Sequence, residues 1–342
     1  MIKVLTTFNS IVLLIIILSV SMILGCSSDS STDDVNLDSK VSSPAESVKE
    51  SGEEKKVEKF KASEKQGSGD KTTVVDALIR SVEFASVPSR IATISPTATE
   101  ILYAAGGTSI LRDRASRVPE EVVKLPDVGS AYDPSIEAII GARPDLVIIE
   151  ALTQARFIPI LEKAGLKVLA VKTETVDDLV GHLEDIGELL GKGDVSGAKI
   201  AEIRSRLDKA GSSDGRSTLV LISDQDRNLY AAKPDTYPGL IVATLGLVNE
   251  VGDVPDSGPY PGFAMMSVEQ ILGVNPDVLV TITPAPEPAP RLSDTIRQIP
   301  PFAALKVVRT GSIFEADPDL FLQSPGPRIV EAVEALREGL KP

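Results

Sequence analysis

Two stretches of this 342-residue chain carry almost the same pattern: SIEAIIGARPDLVII from Ser135 to Ile149, and SVEQILGVNPDVLVT from Ser267 to Thr281. Each runs Ser, a β-branched residue, Glu, any residue, Ile, an aliphatic, Gly, two further residues, Pro-Asp and an apolar run. A capping Ser, a short amphipathic helix, a Gly stop, a Pro-Asp turn and a buried strand together make one α/β unit. Two copies predict two lobes built to one scheme, and a chain of this length has room for both. The unit accounts for the Ser, the aliphatics, the Gly and the Pro, but not for Glu137 and Glu269. A Glu just after the cap favours the helix dipole by ~0.3–1 kcal/mol.

The flanking sequence repeats the scheme. Arg90–Ile94 reads as a buried strand, Ser95-Pro96-Thr97 as a turn with N-cap chemistry, Thr99–Ala105 as a helix and Lys167–Val171 as a second strand. In the second half Thr218–Ile222 reads as a strand, Pro238–Leu245 as a helix, Val278–Ile282 as a strand and Ile329–Leu340 as the final helix. Val307–Arg309 and Ser312–Phe314 look like a short hairpin or strand, and Val75–Phe84 like a lead-in strand or hairpin. All-apolar strands alternating with helices predict an α/β fold, with parallel sheets covered on both faces. Between the copies, Leu179, Leu183, Ile186 and Leu190 make a helical stripe; after a break near Gly191–Gly193, Ile200, Ile203 and Leu207 continue as a rigid connector. The expected layout is an N-terminal lobe at 73–175, a helical connector at 176–212 and a C-terminal lobe at 213–342.

Ahead of the lobes, Lys3, the mainly aliphatic Ile11–Leu24 and then Gly25-Cys26 have the layout of a secretory signal. Gly25-Cys26 resembles a bacterial lipobox, with Leu24 where a small residue is more usual. That implies cleavage after residue 25 and lipidation of Cys26. A plain membrane anchor is the alternative, although the apolar stretch is shorter than the ~20 residues a spanning helix needs. Either way the body lies outside the cytoplasm. Residues 26–72 are rich in Ser, Asp, Glu and Lys and read as a disordered tether, with a typical span of ~35–40 Å.

The net charge of −14 argues against nucleic acid as a partner. Cys26 is the only cysteine, so no internal disulfide is available, and His182 is the only histidine. That removes Cys-His chemistry and leaves Ser-His-Asp without support. No G-x-S-x-G, P-loop, dinucleotide fingerprint or His/Cys zinc cluster is present. His182 sits at helical spacing beside Leu179 and Ile186 and reads as a helix-surface residue.

From about Ser89 to Pro342 the chain resembles the class III substrate-binding proteins of ABC importers. The residues that carry this are Arg90-Ile-Ala-Thr-Ile-Ser-Pro-Thr-Ala-Thr-Glu-Ile-Leu102, Leu125-Pro-Asp-Val-Gly129 and both repeated stretches. Leu305-Lys-Val-Val-Arg-Thr-Gly-Ser-Ile-Phe314 and Pro325-Gly-Pro-Arg-Ile-Val-Glu-Ala-Val-Glu-Ala-Leu336 complete the set. The resemblance implies two α/β lobes joined by a single long helix, with the ligand in the cleft between them. It implies that Glu137 and Glu269 each meet arginines on one of two permease subunits, and that the protein binds as a monomer without a cofactor. The ligand class it implies is a ferric siderophore or a corrinoid; haem, a free metal ion and an extracytoplasmic enzyme role are the alternatives.

Ligands of open α/β sheets sit beyond the carboxyl ends of the strands. That makes Ser95, Pro96 and Thr97 candidate contacts, with helix capping the competing role for Ser95 or Thr97. Tyr132, Tyr230, Tyr260, Phe263 and Phe321 are candidate apolar walls and Gln323 a polar contact; each competes with a role inside its own lobe. Tyr230 and Phe263 fall where members of the resembled family often have ligand-facing aromatics. Arg328 is the candidate partner for an anionic group, against a salt bridge at the start of the last helix.

Overall fold

The computed structural model describes residues 71–212, 215–323 and 325–341. The expected signal, Cys26 and the tether as far as Asp70 lie outside the described residues. The body starts with strands β1 (Thr72–Val75) and β2 (Ser81–Phe84), an antiparallel hairpin. At its turn the Asp76 carboxylate accepts the N–H groups of Leu78 and Arg80, both at 3.0 Å, and that of Ala170 at 3.2 Å, which ties the hairpin to the first lobe.

The first lobe follows the expected scheme. β3 (Ile91–Thr93) leads into α1 (Pro96–Ala104), and a tight ladder of β4 (Gly129–Ser130) and β5 (Asp133–Pro134) precedes α2 (Ile136–Gly141). Then come β6 (Leu146–Glu150), α3 (Ala151–Gln154), α4 (Ile158–Lys163) and β7 (Val168–Val171). The sheet is parallel, in the order β3-β6-β7.

Two helices follow. In α5 (Val176–Leu189) Thr175 and Asp178 form a capping box, and α6 (Gly193–Ala210) leads to the second lobe. That lobe contains β8 (Ser217–Ser223), β9 (Leu229–Ala232), α7 (Tyr237–Thr244), β10 (Val248–Asn249), β11 (Phe263–Met265), α8 (Val268–Val274) and β12 (Val278–Ile282). It closes with α9 (Leu292–Gln298), α10 (Lys306–Thr310), β13 (Ile313–Ala316), α11 (Pro318–Phe321) and α12 (Ile329–Gly339).

Three expectations need correction. The second sheet, in the order β11-β9-β8-β12-β13 with β10 also on β8, is parallel through β10, β8, β12 and β13, but β9 runs antiparallel to both of its neighbours, β8 and β11. Lys306–Thr310 is helical rather than extended: it packs as a short turn whose end is closed by Gly311 at φ 78°, so context overrides the β-branched pair Val307-Val308. In the repeated stretches the glycines are not the stop. Gly141 and Gly273 have no positive φ, whereas Arg143 (φ 50°) and Asn275 (φ 44°), at matching positions, take the left-handed turn.

The strands alternate as buried sheets should. Leu146 and Ile148 face an inner core and Val147 and Ile149 an outer one; in the second lobe Val220 and Ile222 face inward, Leu219 and Leu221 outward. The inner side chains of both sheets belong to one cluster, bridged by Leu183 and Ile186 of α5, Ile200 and Ile203 of α6, Ile241 of α7 and Val333 of α12. The Arg206 guanidinium on α6 donates to both Glu334 oxygens on α12, at 3.0 and 2.7 Å. His182 is half-buried, its Nε2 within 3.0 Å of the Lys172 backbone, and burial holds its pKa below the ordinary value despite that bond.

Candidate ligand cleft

The segments that follow the carboxyl ends of β3, β12 and β13 carry Pro96, Pro284 and Asp317, and these residues line two cavities. In the first lobe β3 ends into the start of α1. Ser95 is buried, and its Oγ accepts the Ala98 N–H at 3.1 Å, so it caps the helix; Pro96 follows and Thr97 is 2% exposed. One turn on, Glu100 is 6% exposed. It faces Arg328 at the start of α12, with Nη1 of Arg328 3.7 Å from Oε1 of Glu100 and its Nε 3.1 Å from Glu331. Burial works against the Arg328 charge, but Glu331 and Glu100 outweigh it and its pKa is raised. The Tyr237 phenol, 8% exposed, is pushed far above its ordinary value by burial and by the Glu100 charge, and its hydroxyl has no hydrogen-bond partner among the described residues.

A cavity of about 180 Å³ lies at this junction. Pro96, Glu100, Ala115, Arg117 and Val118 line it from the first lobe, and Asp317, Asp319, Gln323 and Arg328 from the second. A second cavity of about 450 Å³ lies on the second lobe beside Pro284, Arg291, Glu315, Asp317 and Asp319. Asp317 and Asp319 border both, so the two spaces adjoin. The larger one falls in the size range of small-ligand pockets, ~300–1,000 Å³.

The 113–118 loop that forms one wall is held from beneath. Thr93 Oγ1 donates to Ser109 Oγ at 3.0 Å, Thr99 Oγ1 to Thr93 Oγ1 at 2.7 Å, Thr99 and Ser116 hydroxyls are 3.0 Å apart, and Ser116 donates to Asp113. Burial raises the Asp113 pKa, partly offset by the Ser116 bond. Thr93 and Thr99 were legible as polar residues inside an apolar strand and helix; Ser109, Asp113 and Ser116 carried no sequence signal.

Along the second sheet the order β8, β12, β13 sets out three groups in a row: the aromatic cluster at the end of β8, Pro284 after β12 and Asp317 after β13. Tyr230 and Tyr260 meet edge to face at 5.5 Å, and Tyr260 and Phe263 lie 6.0 Å apart. The Tyr230 hydroxyl donates to Asp224 at 2.8 Å, a bond that raises the phenol pKa. The Asn228 amide donates to the same carboxylate at 2.8 Å, and together with Tyr230 it lowers the Asp224 pKa. Gly258 approaches the Tyr230 ring at φ 84°, where a Cβ would collide with it. Tyr230 and Phe263 are 2% and 6% exposed, so their rings are interior; half-buried Tyr260 is the member with an open face.

Phe321, 1% exposed, is packed 5.9 Å from Phe314 and supports the wall from behind. Gln323 is exposed, lines the smaller cavity and donates to Asp319 at 2.7 Å. Tyr132, 65% exposed, sits at the tip of the β4–β5 ladder, which Gln154 ties to the end of β3 by bonds to the Ala131 and Ile94 carbonyls. Pro96, Gln323 and Arg328 therefore come together at one cavity, the three C-lobe aromatics form a separate cluster, and Tyr132 lines neither cavity. Glu100, Arg117, Asp317 and Asp319 are additions that sequence reasoning missed. Glu137 and Glu269 are exposed in the first turns of α2 and α8, behind the capping residues Ser135 and Ser267.

Among the described residues no group of three or more His, Cys, Asp or Glu gathers that could hold a metal ion. The family model described as periplasmic binding protein matches residues 91–320. The chain is 27% identical over 282 residues to the uncharacterised ABC transporter substrate-binding lipoprotein YvrC of Bacillus subtilis, covering 79% of this chain and 85% of that protein. It is 28% identical over 278 residues to the cobalamin-binding protein of Halobacterium salinarum, covering 76% of this chain and 71% of that one. The solved petrobactin-binding protein YclQ of Bacillus subtilis has the same fold at a TM-score of 0.69 and 19% identity, over 80% of this chain and 99% of the other.

Proposed function

The chain belongs to the periplasmic binding protein family, and from that premise we propose that it captures a corrinoid or ferric-siderophore chelate outside the cytoplasm and delivers it to an ABC permease. The observation that carries this reading is the cleft itself. Residues just beyond strand ends in both lobes, Pro96 and Asp317 among them, line one cavity, and a cavity of ligand size on the second lobe adjoins it. Relatives named for substrate binding and for cobalamin binding, matched over most of this chain, support it. The same relatives support a binding role rather than catalysis.

On this reading Pro96, Tyr260, Gln323 and Arg328 contact the ligand, with Tyr132 at the rim. Ser95, Thr97, Tyr230, Phe263 and Phe321 hold the walls in place. Glu137 and Glu269 dock the two lobes on two permease subunits, Cys26 carries the lipid anchor, and the body acts as a monomer. Haem and a free metal ion are the alternative ligands; among the described residues no group of three or more His, Cys, Asp or Glu gathers that could hold such an ion.

The test is thermal stabilisation of the full-length protein in detergent against cyanocobalamin, ferric siderophores, haem and free metal ions. A ligand at 100 times its Kd adds about 2.7 kcal/mol to stability. A shift with one chelate class supports the proposal, and no shift with any of them sinks it.

A further inference from the structure

We infer that the acidic pair Asp317 and Asp319 makes the cleft select neutral or cationic chelates and reject polyanionic ones; this rests on the chelate-binding reading above. The two carboxylates border both cavities and are exposed to them. Their observed hydrogen bonds come from uncharged donors: Asp317 accepts the Asp319 N–H at 2.8 Å as the cap of α11, and Asp319 accepts from Gln323. Neither takes part in an ion pair among the described residues.

Three arginines line the same space, and two of them already have carboxylate partners. Arg291 Nη2 lies 2.8 Å from Glu287, and Arg328 is shared between Glu331 at 3.1 Å and Glu100 at 3.7 Å. Glu315 adds a further carboxylate to the larger cavity, taking hydrogen bonds from the Thr281 and Thr283 hydroxyls and the Ser293 N–H. Arg117 alone answers the acidic pair from the opposite wall. A ligand entering this space meets a net negative field, and a cleft with low-dielectric walls focuses such a field. An anionic chelate would have to approach the two aspartates without enough unmatched guanidinium to balance them. A corrinoid or a ferric hydroxamate would not. Like-charge juxtaposition of this kind sets specificity more than affinity.

The experiment is a calorimetric titration of the full-length protein with cyanocobalamin, cobinamide, a cationic ferric trihydroxamate and a trianionic ferric tricatecholate. The D317N/D319N variant is titrated alongside. Asn keeps the capping geometry at 317, so the variant should fold, and a melting curve confirms it. The expected result is that the wild type binds at least one neutral or cationic chelate about tenfold or more tighter than the tricatecholate. The variant should narrow that gap, and added salt should improve tricatecholate binding to the wild type by screening the field over its ~10 Å range. Tight tricatecholate binding with a ratio that the variant leaves unchanged overturns the charge selection and leaves chelate binding standing. No binding of any chelate overturns both.

Discussion

At the residue scale, the most informative position in the repeated pattern is the Asp of Pro-Asp. Asp145 accepts the Ser89 N–H at 2.8 Å, its hydroxyl at 3.0 Å and the Arg90 N–H at 2.9 Å, at the entry to β3. Asp277 accepts the Ser217 N–H at 3.2 Å and its hydroxyl at 3.1 Å at the start of β8, and pairs with Lys306. Each carboxylate thus clips the repeat strand to the strand it pairs with. Partial burial works against the charge of Asp145, but the Ser89 and Arg90 donors outweigh it; at Asp277 the Lys306 bond leads. Both pKa values fall below the ordinary 3.8. A depressed carboxyl pKa contributes stability that is present above the unfolded value and lost as pH falls through the folded one. Asp145→Ala and Asp277→Ala should therefore each cost about 1 kcal/mol at pH 7, after allowing for solvent exposure. That deficit should shrink as melting is followed down through the region below 3.8. An unchanged deficit in acid would show that the clips act by shape rather than charge. Gly258→Ala makes a second test: the left-handed φ and the Tyr230 ring together predict a loss of ~1–3 kcal/mol in chemical denaturation.

At the element scale, the repeated unit of helix, left-handed turn and strand serves each sheet in the same way and leaves its glutamate exposed, and the docking proposal gives that glutamate an outside partner. Glu137→Ala with Glu269→Ala should leave the melting temperature and ligand affinity within error of wild type while abolishing transport in reconstituted vesicles. Full transport by the double variant would remove the docking role. The units that repeat were legible because period and turn chemistry both pointed to the same structure. β9 and β11 were not, since Leu229–Ala232 and Phe263–Met265 are short apolar runs inside polar, Gly/Pro-rich sequence, and their pairing is set by neighbours rather than by local preference. α10 failed for the converse reason, because Val307 and Val308 carry a strand-like signal that packing overrides. Of the cleft, Pro96 could be placed from the strand-end rule, Gln323 from its position just before Pro325-Gly-Pro-Arg328, and Arg328 from its charge at the start of the last helix. Glu100 could not: its partner Arg328 is brought near only by the approach of α12 to α1. Nor could the inward turn of the Tyr230 ring, which depends on Asp224 and Gly258.

At the scale of the whole molecule, the inner faces of both sheets and the helices between them form one apolar cluster, reinforced by the Arg206–Glu334 pair between α6 and α12. Neither lobe can unfold without exposing side chains that the other buries. Calorimetry of the full-length protein should therefore show the body melting in a single transition, with calorimetric and van't Hoff enthalpies in agreement. Two resolved transitions would mean that the lobes are independent. A core joined in this way favours small lobe motions over a wide hinge opening, and on the importer reading a ligand-free and a ligand-loaded copy then present nearly the same outer face. On the importer reading this has a consequence for flux. Empty copies then compete with full ones for the same membrane partner, and uptake depends on the fraction of the pool that is occupied. Raising the amount of this protein at fixed ligand supply should first increase transport and then reduce it.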